Sequence, residues 1–115
     1  MMQHRFVPVA TPDALDELFA RSRETPVVLF QHDPYCGISA HAYDELAQLP
    51  GDTALIDVAA APDLSRAVAA RTGVRHESPQ VLVLRDGRAA WAASHRAITA
   101  AAVARAIDER ATAID

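Results

Sequence analysis

The sequence predicts an α/β fold in which a mixed sheet carries helices on both faces. Strand-like and helix-like stretches alternate from the N-terminus to Gly73. The run Pro26-Val27-Val28-Leu29-Phe30-Gln31 is continuously β-branched, aliphatic and aromatic, the pattern of a strand covered on both sides. Asp86-Gly87 separates two further strand-like runs and is a hairpin turn signal. The resulting order is βαβαβα followed by ββα, for which the right-handed crossover rule leaves few topologies.

Phe6–Ala10 is a short apolar strand. Thr11-Pro12-Asp13 then supplies an N-cap, a proline at the first helical position and an acid in the first turn, so a helix is predicted from Pro12 to Arg21. Its apolar positions Leu15, Leu18 and Phe19 form one face. Pro26–Gln31 is the central strand, and the proline-containing turn His32-Asp33-Pro34-Tyr35-Cys36 follows it. Ile38, Ala42, Tyr43, Leu46 and Leu49 recur at helical intervals until Pro50-Gly51, which places Cys36 where strand becomes helix. Thr53–Val58 is the next strand, and Pro62-Asp63-Leu64 opens a helix with Leu64, Ala67 and Val68 facing inward that ends at Gly73. Pro79–Leu84 and Ala89–Ala93 form the hairpin. Thr99 caps a last helix through Ala113, with Val103, Ala106, Ile107 and Ala111 at core spacing.

The length of 115 residues suits one domain spanning residues 1–115. A hydrophobic fraction of 50% and a charged fraction of 23% belong to an ordinary globular protein. No stretch reaches the roughly 20 apolar residues that cross a bilayer, and Met1–Arg5 leads into a strand rather than a signal-peptide core. A cytoplasmic location is expected, with no membrane partner. The net charge of −4, with both signs interspersed, leaves no basic surface for a phosphate backbone, so nucleic acid is not an expected partner. A lone cysteine cannot form an internal disulfide, so covalent sulfur chemistry must involve another molecule.

A thiol reacts as the thiolate, which the unpaired amides and dipole of a helix N-terminus favour. Cys36 stands at such a position, although a lone cysteine also serves as a small buried apolar residue. Dithiol oxidoreductases resolve their mixed disulfide with a second cysteine three positions on, where this chain has Ser39, so a one-thiol cycle remains. Ser39 is a candidate hydrogen-bond donor to the Cys36 sulfur, or simply a first-turn helix residue. Pro79 either starts its strand or is a cis proline bordering the thiol, leaving neighbouring backbone free for an extended substrate. Spacing alone does not choose.

Several stretches together resemble the monothiol bacilliredoxins, the YtxJ-type proteins of the bacillithiol system, over nearly the whole chain. They are Phe30-Gln31-His32, Cys36 with Ile38-Ser39 and Tyr43, and the specific run Gly73-Val74-Arg75-His76-Glu77-Ser78-Pro79-Gln80. Asp86-Gly87, Trp91, Ser94-His95 and Ile98-Thr99 complete them. The resemblance implies a thioredoxin-like fold with Cys36 as nucleophile and Pro79 as the cis proline. It also implies bacillithiolated proteins as partners and bacillithiol, a low-molecular-weight thiol, as co-substrate, with no bound cofactor. Two positions depart from the family pattern: Tyr35 stands in place of a small polar residue before the cysteine, and Gly37 in place of proline after it.

In a thioredoxin-like fold Arg75 and His76, just before Glu77-Ser78-Pro79, would approach the thiol side, where either could favour the thiolate or hold a carboxylate of the small thiol, or they form a solvated loop. The substrate contacts expected beside Cys36 are therefore Pro79, Ser78, Arg75, His76, Tyr35 and Ser39. His4, His32, His41, His76 and His95 show no paired metal-ligand spacing, so no metal site is expected. Trp91 and His95 receive no catalytic task. Two alternatives compete: a redox-inert module binding an extended segment in the same groove, and an iron–sulfur carrier. The second draws on Cys36-Gly37-Ile38-Ser39, which is similar to the Cys-Gly-Phe-Ser signature of monothiol glutaredoxins, but the Gly-Gly pair of that pattern is missing.

Overall fold

The computed structural model describes residues 3–109. Its elements are β1 (His4–Pro8), α1 (Pro12–Arg21), β2 (Val27–His32), α2 (Gly37–Leu46), β3 (Gly51–Asp57), α3 (Pro62–Thr72), β4 (Gln80–Arg85), β5 (Arg88–Ser94), a short 3-10 turn (His95–Ala97) and α4 (Ala100–Asp108). The strands form one mixed sheet in the order β1-β3-β2-β4-β5, parallel across β1, β3 and β2 and antiparallel from β2 through β4 to β5.

The capping residues act as the sequence predicts. Thr11 Oγ1 accepts the Ala14 N–H at 3.1 Å and Thr99 Oγ1 accepts that of Ala102 at 3.1 Å, each satisfying an amide that the helix cannot. Gly73 ends α3 in the left-handed region at φ 74°. Asp86 and Gly87 both take positive φ, 53° and 76°, the two-residue turn whose twist matches the strands it joins. Some boundaries differ, β1 among them, which runs over His4–Pro8 rather than Phe6–Ala10. The second helix stops at Leu46, and Leu49 reaches the core from the turn beyond it. Gly51 does not merely break that helix but already pairs with His4 as the first residue of β3. The last helix is described to Asp108; the expected continuation through Ala111 to Ala113 lies outside the described residues.

Alternation along the central strands divides the core. Val27 and Leu29 of β2, with Leu82 and Leu84 of β4, face α1 and α3 and pack on Leu15, Phe19, Leu64 and Val68. Val28, Phe30 and Val81 face the other way, onto Ala42 and Leu46 of α2 and Val103 of α4. Helices therefore cover both faces, and each fully buried Leu or Phe contributes about 1.5–3 kcal/mol relative to exposure. Register also fixes which loops meet: His32 pairs with Asp57, Gln31 with Gln80, and Gln80 with Ser94. The ends of β2, β3 and β5 and the start of β4 thus lie at one edge, the place where an open α/β sheet positions a site.

Candidate active site

Cys36 is the N-cap of α2, with extended backbone at φ −114° and ψ 126° and no capping hydrogen bond from its side chain. It is partly exposed and has no disulfide partner. Its carbonyl accepts the Ala40 N–H at 3.0 Å, and its own amide donates to the Asp33 carbonyl at 3.1 Å, closing the turn 33–36. Asp33 Oδ1 accepts the Tyr35 N–H at 2.9 Å within that turn. Cys36 therefore opens the first turn of a helix, where amide N–H groups lack intrahelical partners.

Ser39 has a different task from the one expected of it. It is 0% exposed, so it cannot touch a substrate, and its hydroxyl is engaged elsewhere than the Cys36 sulfur. Its Oγ accepts the Asp33 N–H at 2.9 Å and shares a 2.7 Å hydrogen bond with His32 Nδ1. The serine clamps the end of β2 to the first turn of α2 and so sets the path of the loop that presents the thiol. Burial pushes His32 below the ordinary imidazole value of 6.5, against the opposing pull of Asp57 and Asp33. Its ring packs between Phe30, at 5.1 Å, and Tyr43, at 5.4 Å.

The Ser78–Pro79 peptide bond is cis, and Pro79 is buried at the head of β4. Its carbonyl accepts the His95 N–H at 3.1 Å, which ties the proline loop to the end of β5. Among the described residues, neither the amide nor the carbonyl of Ser78 has a backbone partner. The loop is also held from within: Gln31 Nε2 donates to Gln80 Oε1 and Gln80 Nε2 to the Arg75 carbonyl, both at 2.9 Å. Arg75 and His76 are exposed, and His76 shares a cleft with Ser78. Tyr35 is 87% exposed at the lip of the turn. Proximity of the two loops follows from the sheet: Cys36 lies four residues beyond His32, and Pro79 is next to Gln80, the partner of Gln31.

The histidines are dispersed. His4 Nδ1 bonds the Leu49 carbonyl at 2.9 Å, His32 holds Ser39, and His95 Nδ1 faces Glu77 at 3.7 Å. Among the described residues no three His, Cys, Asp or Glu side chains are grouped to hold a metal ion.

One cysteine thus stands at a helix N-cap, with a cis proline at the same edge of a β1-β3-β2-β4-β5 sheet. A family model described as monothiol bacilliredoxin BrxC matches residues 7–103. The chain belongs to the monothiol bacilliredoxins. Among solved structures, this bacilliredoxin is similar to one described as a proposed oxidoreductase with a thioredoxin fold. The two are 27% identical with a TM-score of 0.78, over 88% of this chain and 92% of that one. It also shares the fold of a Malassezia sympodialis thioredoxin at 13% identity and TM-score 0.68, covering 95% of this chain and 93% of that one. A mutant thioredoxin from Halobacterium salinarum gives 23% and 0.64, covering 91% and 89%. The bacilliredoxin is a thioredoxin-fold protein, and family and fold together make it a thiol–disulfide oxidoreductase at the general level.

Sequence reasoning passes over one contributor to the site and one buried residue of α3. It weighs His32 only as a metal ligand, yet the ring anchors Ser39. It leaves Ser65 out of the inward positions of α3, although that residue follows Leu64 and is buried with it. A hydroxyl beside the apolar stripe of a helix is the available signal.

Proposed function

We propose that this bacilliredoxin removes bacillithiol from bacillithiolated proteins through a mixed disulfide at Cys36. The Cys36 thiolate attacks the bacillithiol sulfur of the substrate disulfide. A Cys36–bacillithiol S–S bond forms, the substrate S–S bond breaks, and the substrate cysteine departs as a thiolate that takes a proton from water. A second reduced thiol then attacks the bacillithiol sulfur of the adduct. It is oxidised to the disulfide with bacillithiol, and Cys36 returns as thiolate.

The observation that carries this reading is the partly exposed residue Cys36 at the α2 N-cap, in a chain with no other cysteine to resolve it internally. Gly37 and Ile38 open the helix directly after the thiol. The unpaired backbone of Ser78 offers an extended substrate segment one donor and one acceptor, the recognition that strand addition uses. Tyr35 supplies an aromatic lip to that groove. Arg75 contributes a cation and His76 an imidazole on the same loop.

The test is recovery of free thiol on a bacillithiolated protein supplied with excess bacillithiol. Recovery is accelerated by the wild-type chain and returns to the background rate in Cys36→Ser. Equal recovery with both proteins would remove the proposed activity.

A further inference from the structure

Two non-glycine residues take positive φ among the described residues, Asp86 and His95, both at 53°. The hairpin accounts for Asp86, which sits in its two-residue turn. His95 has no hairpin to close: it follows β5 and opens the short 3-10 turn His95–Ala97. The left-handed region disfavours any residue that carries a Cβ, and glycine would enter it freely. The surroundings must therefore hold His95 there, and residues held in this way gather where a fold has to present a particular geometry.

His95 meets the cis-proline loop twice. Its N–H donates to the Pro79 carbonyl at 3.1 Å, and its Nδ1 faces Glu77 Oε1 at 3.7 Å, both side chains being half-exposed. Its own carbonyl accepts the Ile98 N–H at 3.2 Å, and Ile98 is fully buried, so the turn is anchored in the core. From the β2 side the same loop is held by Gln80, which links Gln31 to the Arg75 carbonyl. Ser78 lies between these two holds, and its amide and carbonyl have no backbone partner among the described residues.

We propose that His95 is a positioning residue for thiol exchange: its left-handed backbone aims an amide at Pro79 and its ring meets Glu77, and together they set where the Ser78 backbone is presented to a substrate segment. Backbone conformation carries most of this role. β-Branched residues are true outliers at a φ of 53°, whereas asparagine enters that region readily. The ring contact is open to water and adds less. The inference rests on the reading of Cys36 and Ser78 above and deepens it, because it names the group that holds the recognising loop in place from the β5 side.

The experiment follows mixed-disulfide formation at Cys36 with two probes over a range of concentrations. One is a bacillithiolated peptide with residues on both sides of its cysteine; the other is bis(2-hydroxyethyl) disulfide, which has no peptide backbone to meet the loop. His95→Val raises the half-saturating peptide concentration about 3- to 10-fold with little change in the saturated rate, because only a fraction of the molecules keep the loop in place. The same variant leaves the hydroxyethyl rate within about twofold of wild type, since that probe makes no backbone hydrogen bonds. His95→Asn, which accepts the same backbone, stays within about twofold of wild type with both probes. A valine variant that slows both probes alike, or neither, overturns the positioning role while exchange at Cys36 stands, and so does an asparagine variant as slow as the valine one. A wild-type chain that leaves the peptide unreacted overturns the proposed function and this role together. Should His95→Val fail to fold, hydrogen exchange of the wild-type chain decides: a His95 amide protected like those inside β4 and β5 supports the hold, and one that exchanges as fast as an exposed loop amide refutes it.

Discussion

Gly37 departs from the family's proline, and its surroundings say what restoring the proline does. It is the first residue of α2, the position where the missing N–H and fixed φ of proline are best tolerated. The residue before a proline must be extended, and Cys36 already is, at φ −114° and ψ 126°. A side chain at Gly37 meets nothing within 4 Å, and no backbone partner of its amide exists among the described residues to be lost. With native geometry compatible, Gly37→Pro acts through the unfolded chain, whose freedom it reduces by about 0.4–1 kcal/mol. For a domain of this size about 1 kcal/mol corresponds to a rise in Tm of about 4 °C. Thermal unfolding followed by circular dichroism at pH 7.5 measures it. A lowered Tm would show that the α2 N-terminus does not have the geometry described, or that the Gly37 amide has a partner that holds the fold.

Ser39→Ala strips the buried hydroxyl that accepts the Asp33 amide and holds His32. Orphaning that amide costs about 1–3 kcal/mol, read as a lower midpoint in chemical denaturation at unchanged slope, and a midpoint equal to wild type would contradict the clamp. Gly73→Ala puts a side chain into open space but at φ 74°, so the backbone alone sets the penalty of about 1–2 kcal/mol; unchanged or raised stability would refute it. The depressed titration of His32 means that the unfolded chain binds the proton first as pH falls below 6.5. This contribution is therefore complete above that pH and is lost as pH falls from 6.5 through the lower folded-state value. His32→Asn should flatten the corresponding part of a stability–pH curve between pH 7.5 and 5, and a curve parallel to wild type would count against the burial of the ring.

What the sequence made legible was whatever depends on neighbours along the chain. The threonine caps, the Asp86-Gly87 turn and the unbroken apolar run of β2 are local, and each stands as expected. Periodicity was ambiguous near Leu49, whose apolar side chain continues the helical spacing but reaches the core from a turn. The placement of Cys36 at the helix N-cap was legible for the same local reason. The role of Ser39 was not, because its two partners are set by how β2 enters α2, and a one-dimensional motif points it at the nearest sulfur. Spacing left Pro79 open between cis and trans, and only the resemblance to a family selected the form the structure adopts. His95 meets Glu77 and Pro79 across a hairpin, a contact no pattern in either segment announces.

The most direct test follows one sulfur. Mixing equimolar reduced wild-type protein with a bacillithiolated protein, quenching by acid and measuring intact mass should show the chain heavier by one bacillithiol, through Cys36, while the substrate appears unmodified. A chain of unchanged mass, or one linked by disulfide to the whole substrate protein, would contradict the account.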